Sequence, residues 1–197
     1  MHTEKETQAL LSLLWMLASD PRMLVLFALL LLASISDCRS YRIPNWLTFG
    51  GMVFALIYGT IAARTPLSGA LHALGGWGTG LAIMLPFYAL GIMGAGDVKL
   101  MAMVGAFLGP YQTLQAILFT CIAGGVTAIL FAIHLRRLGR MLANVKATAQ
   151  GIAVSGIAGV RPSGTIEAGQ SIGKLPYGIC ICAGTVAQVI AHQLGFV

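Results

Sequence analysis

MLVLFALLLLASIS, residues 23–36, runs without a single charge and then meets Asp37. An uncharged run of this kind cannot face water along its length, and it forms the heart of a membrane-crossing helix. The rest of the chain repeats the pattern. Of its 197 residues, 57% are hydrophobic and only 9% are charged, with a mean hydropathy of +0.85. Soluble domains carry about 25% charged residues, so this chain lacks the polar surface that a water-soluble domain of its length would need. The fold class is all-α: a polytopic transmembrane helix bundle of about six spans.

Working outward from residues 23–36, the further apolar stretches are Trp46–Ala63, Leu67–Met93, Val98–Leu108, Tyr111–Leu135 and Leu175–Leu194. The breaks between them are chemically clear. Ile43-Pro44-Asn45 follows a short basic loop, and Pro44, which cannot donate a backbone hydrogen bond, ends that loop and starts the second span. Arg64-Thr65-Pro66 stops the second span, Gly94-Ala95-Gly96-Asp97 closes the third, and Gly109-Pro110 closes the fourth. A polar, Gly-rich connection covers about 136–174. Residues 1–22 form an N-terminal segment that lies at the interface or extends the first span through a kink at Pro21. Glu4, Lys5 and Glu6 give it no positive n-region, unlike a cleavable signal peptide. Residues 23–197 form the membrane domain.

Charge orients the bundle. With the Asp37 loop placed in the cytoplasm, six alternating spans put Arg39, Arg42, Lys99, Arg136, Arg137, Arg140, Lys146, Arg161 and Lys174 on that side, and only Lys5, Arg22 and Arg64 on the other. That split follows the positive-inside rule, and it accounts for the net charge of +6 without nucleic acid. The glycines at 75, 76, 78 and 80, and Gly124-Gly125, have no phosphate-loop context and are helix-packing residues, since helices in lipid approach closely only through small side chains. Cys38, Cys121, Cys180 and Cys182 form no C-x-x-C pair, and His2, His72, His134 and His192 form no ligand motif. No metal and no cofactor is expected.

Six acidic residues remain, and only Asp37 and Asp97 abut spans on the cytoplasmic side. A carboxylate at membrane depth costs roughly 2.5–3.5 kcal/mol on insertion scales, so it points to function. If the first and fourth spans pack together, the two carboxyls share a proton and titrate as a pair. An acid beside a carboxylate can activate water and protonate a leaving amine, which is the logic of aspartic proteolysis. The glycines at 94 and 96 give the backbone at Asp97 freedoms closed to other residues and allow close approach. A proton-coupled transporter using the same two acids is the alternative from another class, though both acids sit at span ends and no internal repeat is visible.

The motifs now carry a resemblance. Asp37 with Ile43-Pro44-Asn45, Gly94-Ala95-Gly96-Asp97-Val98-Lys99-Leu100, and Lys174-Leu175-Pro176-Tyr177-Gly178 resemble the type IV prepilin peptidases, membrane aspartyl proteases of the Gly-x-Gly-Asp group. The resemblance implies that Asp37 and Asp97 are the catalytic pair, cleaving a prepilin leader after a glycine at the cytoplasmic face of a bacterial inner membrane. It implies that Gly94 and Gly96 shape the turn at Asp97, that Lys99 fills a basic motif position, and that Pro176, Tyr177 and Gly178 pack near the dyad. Pro44 and Asn45 belong to the same motif set. The implied partners are the prepilin, the bilayer and the pilus assembly machinery. Longer family members carry paired C-x-x-C motifs and methylate the new N-terminus. This chain has neither C-x-x-C nor room for it between Asp37 and Ile43, so it resembles the short form of tight-adherence (Flp) pili, with no N-methyltransferase activity. An inactive assembly subunit would show the same motifs.

Overall fold

The computed structural model describes residues 20–91, 93–134, 139 and 177–195. Those residues form six helices and no strand: α1 Pro21–Ser40, α2 Asn45–Ala62, α3 Pro66–Ala89, α4 Ala95–Leu108, α5 Pro110–His134 and α6 Tyr177–Gln193. The all-α expectation holds. Four of the helices, α1, α2, α3 and α5, are long and apolar enough to cross a membrane. The remaining two are shorter, with 14 residues in α4 and 17 in α6. Pro176 and most of the 136–174 connection lie outside the described residues, as does the segment before Asp20.

Helix starts follow the punctuation in the sequence. Pro21 opens α1: Asp20 is the N-cap, and its carboxylate accepts the Arg22 N–H at 2.9 Å. Pro44 is the N-cap of α2, so the chain turns into the second helix at Asn45 as expected. Thr65 caps α3, with Pro66 in its first turn. Helix α3 stops at Ala89, earlier than the apolar run that continues to Met93. Pro86 removes a helix donor near that end, and Gly91 turns the chain at φ +70°. At the end of α1, Tyr41 takes the left-handed conformation (φ 49°) and donates its N–H to the Asp37 carbonyl at 2.8 Å.

Helix α4 is the centre of the bundle. From Val98 to Leu108 every residue except Lys99 is buried, and each of the other five helices packs against it. A helix that is apolar all round belongs inside a bundle, and at 1.5 Å per residue α4 is about 21 Å long. Its neighbours shield it from lipid, so it need not match the bilayer thickness on its own. Small residues let α3 reach it. Gly76 and Gly105 meet back to back, so that a Cβ on either would overlap the other's carbonyl oxygen, and a Cβ on Gly80 would come 2.7 Å from the Met101 carbonyl. Gly76 and Gly80 therefore pack as expected, whereas Gly78 and Gly125 face open space.

Helix α6 is joined to α5 by polar side chains. Gln188 donates to Gln115 at 3.2 Å, both buried, and Gln112 meets His192 at 3.3 Å. In lipid such bonds between helices add to close packing. Gly184 lies directly on Thr120. The first turn of α6 packs on α1 instead, through Gly178.

Candidate active site

Asp37 sits in the last turn of α1 and is only 6% exposed. The helical repeat places it on the same face as the core residues Leu26, Leu30 and Ala33, which turns its carboxyl into the bundle. There its Oδ2 accepts the backbone N–H of Gly178 at 2.8 Å. Gly178 lies in the first turn of α6, where N–H groups have no partner within their own helix and the helix dipole favours a negative charge. The bond thus satisfies an orphan donor and a buried carboxylate together. The approach is close: a Cβ on Gly178 would come 3.0 Å from Asp37 Oδ2 and 3.1 Å from Asp37 Cβ, so a larger residue would have to push the carboxyl aside. Ser34, one turn earlier on α1, donates to the Gly178 carbonyl at 3.2 Å as well as to the Leu30 carbonyl at 2.8 Å. Both sides of the Gly178 backbone are therefore bound to α1.

Asp97 lies in the first turn of α4, inside the helix rather than in a loop before it. Its Oδ2 reaches back to the Gly94 N–H at 3.2 Å, the acidic half of a capping box, while the Gly94 carbonyl accepts from Asp97 N–H at 3.1 Å. That bond is why the helix begins at Ala95. Neither Gly94 nor Gly96 has a positive φ, so the expected special backbone shape is not what the structure shows. Gly96 instead faces the Ile43 side chain, whose Cβ would lie 3.4 Å from a Cβ at that position. This is an ordinary packing distance.

The two carboxyls sense each other. Asp97 lies outside the four membrane-crossing helices, and its pKa is raised from 3.8 to about 6. Burial is the largest cause, the charge of Asp37 the second, and the hydrogen bond from Gly94 opposes both. The end of α1, the start of α4 and the start of α6 thus converge, bringing Asp37, Asp97, Gly94 and Gly178 to one end of the bundle. Tyr177 points its ring toward Gly124 of α5, where a Cβ would stand 3.0 Å from its hydroxyl.

Lys99 binds Asn45 Oδ1 at 2.9 Å, and its ammonium lies 5.6 Å from the centre of the Phe49 ring. It ties the start of α4 to the start of α2, so two motif residues that sequence spacing left unconnected form one contact. Among the described residues no group of three or more His, Cys, Asp or Glu could hold a metal ion.

Residues 24–129 match the model of the type IV leader peptidase family. The chain belongs to that family. No curated protein and no solved structure matches it. For a leader peptidase of this family the matched span matters, because it runs from α1 through most of α5 and includes both aspartates, Pro44, Asn45, Gly94, Gly96 and Lys99. Membership makes the chain peptidase-like. Gly178 falls beyond the match, and its place at the site rests on the hydrogen bond to Asp37.

Proposed function

We propose that the chain is a membrane-embedded aspartic endopeptidase that removes the leader of type IV or Flp-type prepilins after a glycine, at the cytoplasmic face of a bacterial inner membrane, without methylating the new N-terminus. The observation that carries this reading is the convergence of Asp37 and Asp97 at one end of the bundle, where burial first and the charge of Asp37 second favour the acid form of Asp97. Family membership supports the substrate class, and the absence of any C-x-x-C pair in the sequence supports cleavage without methylation.

The steps follow from the hydrogen bonds. Asp37, whose bond from Gly178 suits a carboxylate, takes a proton from water as the water oxygen bonds to the scissile carbonyl carbon. Asp97 gives its proton to the carbonyl oxygen. The tetrahedral species then expels the amine, which leaves with the proton held by Asp37, and Asp97 recovers its own as the carboxylic acid product forms. Co-expression with a prepilin tests the proposal: a band shortened by the leader is expected, and neither a transporter nor an inactive assembly subunit produces one.

The sign of the pH dependence is determined by Asp97. Its acid form is needed, and that form is complete below and lost above about 6. The kcat/KM for a peptide spanning the junction is expected to fall with rising pH above that value, one proton per step. Bound substrate excludes more water, so the kcat limb should lie at higher pH. A flat profile between about pH 5 and 8 would remove Asp97 as the acid.

Gly178→Ala tests the clamp on Asp37. A new methyl must displace the carboxylate by a few tenths of an ångström, so the protein is expected to fold while cleavage drops roughly 10²-fold, as small misplacements of catalytic groups do. Unchanged turnover would disconnect Gly178 from the reaction.

A basic group near the dyad could hold the glutamate that prepilins carry after the cleavage point. Lys99 is already bound to Asn45, and Arg39 lies about 200° around α1 from Asp37, lining a groove with Ser36, Ser40 and Trp46. Arg42→Ala should therefore raise KM most, with Arg39→Ala and Lys99→Ala weaker. If all three process substrate at the wild-type rate, the idea is wrong.

A further inference from the structure

At the end of the bundle opposite the aspartates, α1, α2, α3 and α4 line an open cavity of about 340 Å³, with His72 and Ser68 exposed at its rim. Arg22 and Asp37 are 15 residues apart on α1, which puts the two sites about 22 Å from each other along that helix. Small residues dominate its wall: Gly59, Ala62, Ala63, Gly69, Ala73 and Ala106 are six of its ten lining residues.

Three hydrogen-bonding side chains border it from three different helices. These are Arg22 of α1, Tyr58 of α2 and His72 of α3. None of their side chains makes a hydrogen bond or ion pair among the described residues. Asp20 accepts the Arg22 backbone N–H at 2.9 Å, and its charge also acts on the guanidinium without a direct hydrogen bond to it. Ser68, also at the cavity, has its hydroxyl engaged by the Thr65 carbonyl at 2.8 Å. The His72 ring is seated against Gly109, where φ is +82° and a Cβ would overlap the imidazole.

Arg22 feels the charge of Asp20 and lies near Tyr58, and the Tyr58 ring stacks on Phe54. The guanidinium, phenol and imidazole donors that line the cavity nonetheless make no hydrogen bond among the described residues and can serve an acceptor placed there. Charge placement points the same way. Arg22 and Arg64, which follows the lining residue Ala63, are two of the three cations that charge counting puts on this side of the membrane. Cations on that side run against the general bias, and an anion held here gives them a physical reason.

We propose that this cavity binds a phosphate group, with Arg22 as its ion partner and Tyr58 and His72 as hydrogen-bond donors. A phosphate presents enough oxygens for three donors at once, and guanidinium suits it geometrically. The phosphate belongs to a phospholipid headgroup or to a free phosphate. Ile61, Leu67 and Leu71, each next in sequence to a cavity residue, are exposed and apolar, as acyl chains alongside would require.

Thermal unfolding of the full chain in non-ionic detergent tests this with three probes: phosphatidylglycerol, diacylglycerol of the same chains, and inorganic phosphate against chloride at equal ionic strength. Phosphatidylglycerol is expected to raise the midpoint, and diacylglycerol to leave it unchanged. Arg22→Gln should weaken the apparent affinity about ten-fold or more while leader removal in detergent continues. An equal rise with inorganic phosphate, lost in Arg22→Gln, would assign the site to free phosphate. Should Arg22→Gln not fold, Tyr58→Phe removes one hydroxyl and carries the same test. The proposal is overturned if no probe shifts the midpoint, if diacylglycerol acts as well as phosphatidylglycerol, or if the folded variants bind like wild type.

Discussion

Asp37→Asn and Asp97→Asn are each expected to reduce leader removal by about 10³-fold or more, the scale of a lost general acid or base. Both replacements keep the shape of the side chain, and Asn can still offer an oxygen to the Gly178 or Gly94 N–H, so folding should survive. What disappears is the ability to accept or give a proton. Because the two groups act in one proton cycle, the double variant should be no worse than either single one. The measurement is leader removal on a gel beside a thermal-unfolding trace of each purified variant. Cleavage persisting in either single variant, with the protein intact, would sink the dyad.

The aspartates were legible because a carboxylate beside an apolar run is costly wherever it occurs, and that cost can be read without a fold. The breaks at Pro44-Asn45 and Thr65-Pro66 were legible for an equally local reason, the chemistry of proline and of capping side chains. The start of α1 at Pro21 emerged only with the cap at Asp20. The contacts of the site with other helices were not. Gly178 stands 141 residues from Asp37 in the chain, and nothing in helical periodicity pairs the two; the motif resemblance placed it near the dyad without saying that its N–H is the bond. Lys99 had no role until Asn45 stood opposite it. The glycines at 94 and 96 suggested an unusual backbone, yet Asp97 bonds back to Gly94 and draws both into an ordinary helix start. In the sequence Val98–Leu108 is only one apolar segment among six, whereas its burial on every side makes α4 the bundle's centre. Cavities escape sequence reading for the same reason: Arg22, Tyr58 and His72 come from three helices and share no local pattern.

Gly76→Ala is expected to destabilise the fold strongly. The added carbon would overlap the Gly105 carbonyl oxygen and come 2.7 Å from the Gly109 Cα. Those are backbone atoms of α4 and of the turn after it, so no rotamer change relieves the clash and the two helices must separate. Overpacking of a tight interior costs about 1–3 kcal/mol and occasionally more, and a backbone contact belongs at the upper end. Helix α4 also carries Asp97, so separation from α3 moves the carboxyl relative to Asp37 and cleavage should fall with stability. Gly78, two residues along the same helix, meets nothing within 4 Å. Gly78→Ala should be neutral or slightly stabilising, since alanine is the better helix former by about 1 kcal/mol. Thermal unfolding and leader removal of the two variants side by side decide the matter: if Gly76→Ala melts and cleaves like Gly78→Ala, α3 and α4 do not meet through these glycines.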